Sequence, residues 1–186
     1  DLESPTARLV ETINRLAPLP NIDHGLLSDA LGLVRDLTLS LEPFQTTTMV
    51  HGDAHFDNVL WDGDRVTTLL DWKWARPAPP DVDLDALLRF SAHPQAFVDD
   101  AQRHHATADE YADVPWQLAE AYPGLFANPR QFDRMRVYSI AYDVRELLLY
   151  PPPVPVDRLP AHHAYHRLEA VLTGHSYLDD LAGAPV

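Results

Sequence analysis

One dipeptide constrains this chain more than any other: Asp62-Gly63, set between Val59-Leu60-Trp61 and the β-branched run from Val66 to Leu70. Asp-Gly suits the tightest hairpin turns, whose central residues need positive φ. With apolar, strand-forming segments on both sides, the pair predicts a β-hairpin, the one clear β element in the sequence.

Everything else reads at a helical period. Pro5 opens a helix to about Ala17, with Leu9, Val10, Ile13 and Leu16 on one face. A second helix is predicted from Leu26 to Leu41, with Leu27, Ala30, Leu31, Val34, Leu37 and Leu41 inward and Pro43 as its stop. Met49-Val50 then leads into a polar loop, and Pro77 to Pro80 is irregular. Further helices are predicted near residues 83–91, 94–106, 115–122, 130–149 and 158–173. In 130–149, Phe132, Met135, Ile140, Val144 and Leu147 should point inward. Pro151-Pro152-Pro153-Val154-Pro155 is a stiff connector rather than a domain boundary. The expected fold is mainly α with a small β-hairpin, a single domain over residues 1–186.

Composition narrows the partners. The net charge is −14 and Lys73 is the only lysine, so the clustered basic residues that nucleic-acid binding needs are missing. An acidic surface suits a cationic small molecule, although the same charge also serves solubility alone. With no cysteine, disulfides and thiolate metal sites are excluded, and a cytoplasmic location is expected. No apolar run approaches the ~20 residues that cross a bilayer, so no membrane partner is expected. The opening DLESPTARLV has no signal-peptide character and no initiator Met, as expected if an upstream part has been removed.

The informative stretch is His51-Gly52-Asp53-Ala54-His55-Phe56-Asp57-Asn58, followed after the hairpin by Leu69-Leu70-Asp71-Trp72. Asp53 and Asn58 lie five apart on a loop, so their side chains can converge on one point. Asp71 ends a strand paired with the one that follows Asn58, so the hairpin brings an amide and a carboxylate together as a hard, all-oxygen site. Phosphoryl transfer asks for little more: a carboxylate to orient or deprotonate a hydroxyl, and oxygen ligands for magnesium. Taken singly, each residue could instead cap its own turn.

This pattern resembles the aminoglycoside phosphotransferase and choline kinase group, relatives of the protein kinases. Their catalytic loop reads H-G-D-x-x-x-x-N, and their magnesium aspartate opens a D-[FW]-[ED]-like motif. The resemblance continues into Pro80-Asp81-Val82-Asp83-Leu84, similar to that group's D-P-x-x-D-L segment. It implies Asp53 as catalytic base and Asn58 and Asp71 as Mg²⁺ ligands. It further implies His55 near the phosphates of ATP or in loop structure, His51 as a brace, and Asp83 as acceptor of loop amides. The chain departs from the pattern at Lys73, where an acid is usual, and at Pro79, where an Asp is usual. No G-x-G-x-x-G loop or strand lysine precedes His51. The expectation is therefore the C-terminal lobe of a protein-kinase-like (α+β) fold, with the N-terminal ATP-binding lobe absent and this piece inactive alone.

Other candidates have plainer readings. His162, His163 and His166 read as surface or capping residues, as do His104 and His105. Trp72 and Trp74 read as core and rim packing. Asp99, Asp100, Asp109, Glu110, Asp113 and Glu120 fit either a substrate pocket or a solvated face. The function expected is ATP-dependent transfer of the γ-phosphate to a small-molecule hydroxyl, the substrate being an aminoglycoside, macrolide, sugar, choline or homoserine. The alternative is a degenerate lobe that binds a ligand or a protein. Loss of a companion lobe would bare apolar surface around Val59–Leu70 and promote self-association.

Overall fold

The computed structural model describes residues 5–41, 48–99, 101 and 103–182. It is mostly helical, and its chain divides into two compact units. Pro43 and Asp100 lie outside the described residues.

The first unit joins the two ends of the chain, Asp1–Glu42 and Phe132–Pro185. Its helices are α1 (Pro5–Asn14), α2 (His24–Asp36), α5 (Gln131–Leu149, entering from the preceding segment), α6 (Ala164–Thr173) and α7 (Tyr177–Ala182). The apolar stripes of α1, α2, α5 and α6 close on one core, in which Ile13, Leu16, Ala30, Val34, Ile140, Val144, Leu147 and Leu168 are fully buried. Each of these side chains other than Ala30 contributes about 1.5–3 kcal/mol of transfer free energy, so this stripe holds the unit together. Asp23 starts α2 by accepting a 2.7 Å hydrogen bond from the Gly25 amide. His163 starts α6 in the same way: its Nδ1 accepts from the Tyr165 amide at 3.1 Å. Between α5 and α6 the buried Arg167 donates twice to Asp143 Oδ1, at 2.9 and 2.6 Å.

The second unit spans Pro43–Gln131. Strand β1 (Met49–Val50) pairs antiparallel with β4 (Arg76–Pro77), and β2 (Val59–Asp62) pairs with β3 (Arg65–Leu69) as the hairpin. Gly63 supplies the turn with φ 64°. The register runs Val59↔Leu69 and Leu60↔Thr68, then shifts at a bulge before Trp61↔Val66. Helices α3 (Asp81–Ala92) and α4 (Val114–Ala121) complete the unit.

Several elements differ from the sequence reading. The second helix ends at Asp36 and continues only as a tight 3₁₀ turn, Thr38–Leu41. The helix expected over 94–106 is a single 3₁₀ turn, Pro94–Ala96. Its apolar residue Phe97 is taken up by ring packing against Phe90 and His55, not by a helix face. The helix expected from 158 begins at Ala164, because Pro160 cannot donate and His163 provides the cap. The β1–β4 ladder and α7 were not foreseen: two-residue strands and a six-residue helix are too short to show a period.

Candidate active site

The site is built on the loop between β1 and β2. Asp83, in the first turn of α3, accepts the His51 amide on Oδ2 at 2.8 Å and the Gly52 amide on Oδ1 at 2.7 Å. One carboxylate thereby fixes two successive backbone groups. Gly52 holds φ 82°, and a Cβ there would stand 2.5 Å from the Trp74 carbonyl oxygen. Only glycine fits this crossing. His51 is buried, and its ring reaches the Leu70 carbonyl at 2.6 Å, so Nε2 carries the proton and donates. Its Nδ1 is buried with no hydrogen-bond partner among the described residues.

Asn58 spends its amide nitrogen inside the loop, donating to the Asp53 carbonyl at 2.8 Å and to His55 Nε2 at 3.2 Å. A nitrogen that donates twice leaves the side-chain oxygen Oδ1 as the uncommitted acceptor. His55 Nε2, accepting from Asn58, stands 3.7 Å from Asp53 Oδ1, beyond hydrogen-bond range. Among the described residues, the Asp53 carboxylate therefore accepts no hydrogen bond, and its side chain is about one-third exposed (34%). The Leu70 amide donates to the Asn58 carbonyl at 2.8 Å, closing the base of the hairpin just before Asp71.

Asp71 is one of few non-glycine residues with positive φ, at φ 59°, ψ 56°. This backbone costs of order 1–3 kcal/mol and recurs at functional sites. Lys73 Nζ stands 2.7 Å from Asp71 Oδ2. That hydrogen bond holds the Asp71 carboxyl below the usual carboxylate range. The same bond, followed by the charges of Asp71 and Asp53, raises the Lys73 ammonium. Trp72 and Trp74 are not core residues: both are half exposed, at 51% and 50%. Trp72 instead packs on the His51 ring at 4.7 Å and donates from Nε1 to the Leu69 carbonyl at 2.8 Å.

Beneath the loop lies an aromatic cluster that the sequence reading missed. His55 stacks parallel on Phe90 at 5.5 Å, and Phe90 meets Phe56, Phe97 and Tyr111 within 5.7 Å. Stacking fixes the ring that positions Asn58. Spacing offers no signal for it, since its members stretch from residue 55 to 111. A cavity of about 230 Å³ opens between loop and hairpin, with an apolar wall that includes Ala54, Phe56, Val59 and Leu69. His51, His55 and Asn58 also line it, whereas Asp53 and Asp71 do not.

The structure thus links Asp53, His55 and Asn58 by direct contacts, places Asp71 beside the strand end that Asn58 anchors, and seats His51 on Asp83. The acidic residues Asp99, Asp109, Glu110, Asp113 and Glu120 are exposed, and Glu110 joins Thr107 in capping the turn Ala108–Tyr111. Among the described residues, no group of three His, Asp or Glu side chains could hold a metal. A site here would combine the Asn58 oxygen with Asp71. No described helix is long and apolar enough to cross a membrane.

Residues 3–116 match the family model described as the phosphotransferase enzyme family, a span that includes every residue of this site. No curated protein and no solved structure matches the chain.

Proposed function

The chain belongs to the phosphotransferase enzyme family, and on that premise we propose that it is the C-terminal lobe of an ATP-dependent small-molecule O-phosphotransferase. The observation that carries this reading is the division of labour in the loop. Asn58 commits its nitrogen and keeps its oxygen, while Asp53 keeps both carboxylate oxygens open beside it.

In the proposed reaction Asp53 orients the substrate hydroxyl and takes its proton. The hydroxyl oxygen forms a bond to the γ-phosphorus as the bond from that phosphorus to the β–γ bridging oxygen breaks, and ADP leaves. Asn58 Oδ1 and the Asp71 carboxylate would hold Mg²⁺. Two hard oxygen donors fit an ion that keeps waters and substrate phosphates as its remaining ligands. When bound, Mg²⁺ neutralises charge on the β- and γ-phosphates. His51 and Asp83 keep the loop in place, and the partly buried His55 maintains Asn58.

The substrate class is a small hydroxyl compound such as an aminoglycoside, macrolide, sugar, choline or homoserine, and the net charge of −14 favours a cationic member. The nucleotide-binding half would come from a companion lobe, and an ATP-using enzyme of this kind would work in the cytoplasm. The test is transfer from ATP to a panel of such acceptors, in the polypeptide that carries this lobe with its nucleotide-binding half. Asp53→Asn should lower turnover by at least ~10²-fold, the scale of a general base. Near wild-type turnover would remove Asp53 from the chemistry. A second reading, a non-catalytic ligand- or protein-binding lobe, is favoured by the Lys73 contact that already occupies one oxygen of Asp71. Absence of transfer with every acceptor would support it.

A further inference from the structure

The single lysine of the chain stands two residues after Asp71. The left-handed backbone at Asp71 and the 3₁₀ turn Trp72–Trp74 fold the chain back, so that Lys73 Nζ lies 2.7 Å from Asp71 Oδ2. Lys73 and Asp71 therefore form an ion pair at this edge of the site, and Asp53 adds to the negative potential around the ammonium.

We propose that Lys73 is an internal counter-ion: it occupies Asp71 in the absence of a divalent cation, and a metal must displace it before Asp71 can act as a ligand. The inference rests on the reading of Asp71 as a metal ligand given above. It also accounts for how two anionic side chains face a triphosphate, since the ammonium offsets their repulsion until the metal replaces it.

Exposure decides that the contact can yield. The Lys73 and Asp71 side chains are 59% and 39% exposed, so water solvates both ends when they part. Exposed ion pairs are weak. A buried pair would resist separation and block the ligand. Competition of this strength should weaken divalent binding by about two- to fivefold, the range that exposed pairs span. It should also fade with added salt, because both groups are screened.

The test is Mn²⁺ binding to the 186-residue chain, read from the free-ion resonance signal, which needs no turnover. Lys73→Met should bind Mn²⁺ about two- to fivefold tighter at low ionic strength, with the gain shrinking as salt rises. Lys73→Arg keeps the charge and should bind no tighter than wild type. Asp71→Asn should bind more weakly, and adding Lys73→Met to it should restore nothing. If Lys73→Met binds no tighter while Asp71→Asn is weakened, the lysine inference is overturned and Asp71 stands as a ligand. If Asp71→Asn changes nothing, the ligand reading fails and the counter-ion role falls with it.

Discussion

Removing the Asp83 carboxylate tests how the loop that carries Asp53 is held, independently of any substrate. In Asp83→Ala the amides of His51 and Gly52 lose acceptors at 2.8 and 2.7 Å. Hydrogen bonds to a charged group contribute about 1.5–3 kcal/mol each, and an orphaned buried donor costs as much again as it fails to find water. His51 is buried, so its amide has little access to solvent, whereas the partly exposed Gly52 amide is more easily hydrated. Taking the lower figure for each bond gives about 3 kcal/mol, a large share of the 5–15 kcal/mol that usually holds a domain folded. Asp83→Asn should fall between, since it keeps one acceptor and turns an amide nitrogen toward the other donor.

Two assays read this out. Urea unfolding should show a lower midpoint at unchanged slope, the signature of lost native stability. Native-state hydrogen exchange should show the His51 and Gly52 amides losing protection first and most. If Asp83→Ala stays within ~0.5 kcal/mol of wild type, the scatter of neutral surface changes, and those two amides exchange as before, the carboxylate does not hold the loop.

Three further outcomes are expected. His163 caps α6 through an unprotonated Nδ1, and burial, followed by the charges of Arg167, His166 and His162, pulls its pKa below the ordinary value of 6.5. A depressed histidine contributes stability that is present above the unfolded pKa and lost as pH falls through the folded one. Thermal melts should therefore show α6 losing stability below about pH 6.5, and His163→Asn, a good cap that does not titrate there, should flatten that dependence. Calorimetry with Mg·ATP on the chain alone should give binding weaker than micromolar, because no Gly-rich phosphate loop precedes the site; micromolar affinity would mean the site is self-contained. Light scattering across a concentration series should show self-association through the hairpin face, where Leu60, Trp61, Val66, Leu69 and Trp72 are each 42–53% exposed; a monomer at high concentration would refute it.

What the sequence disclosed was local. Asp53, Asn58 and the hairpin sit within twenty residues of one another, so spacing and turn chemistry alone bring them close. The stripes of α1, α2 and α5 were equally readable, since a period of 3.6 persists over several turns. The features that escaped join residues far apart without any period. Phe90 and Tyr111 meet Phe56 from other elements, and Arg89 pairs with Asp85 inside α3, where a helix face would ordinarily be read as solvated. The segment 94–106, expected as a helix, has the same explanation: the Phe97 ring packs in the aromatic cluster under the Asp53 loop and not on a helix face. The half-exposed Trp72 and Trp74 are rim and not core residues, because size and apolarity say nothing about which face a short turn presents.

Three aspartates of this stretch show why residue type alone could not assign roles. Asp83 has each oxygen engaged by a backbone amide, so taking a hydroxyl proton would weaken the bonds that hold the loop. Asp71 has one oxygen held by an exposed lysine, a contact weak enough to be exchanged. Asp53 accepts no hydrogen bond among the described residues, although the loop around it is pinned at Gly52 and Asn58. A general base needs this last combination: an open carboxylate on a backbone that does not move. The committed carboxylate makes the open one useful, because each amide that Asp83 fixes removes a degree of freedom from the loop on which Asp53 stands. Loosening Asp83 should therefore depress transfer even though it touches no substrate, and the loss should appear in turnover more than in acceptor binding.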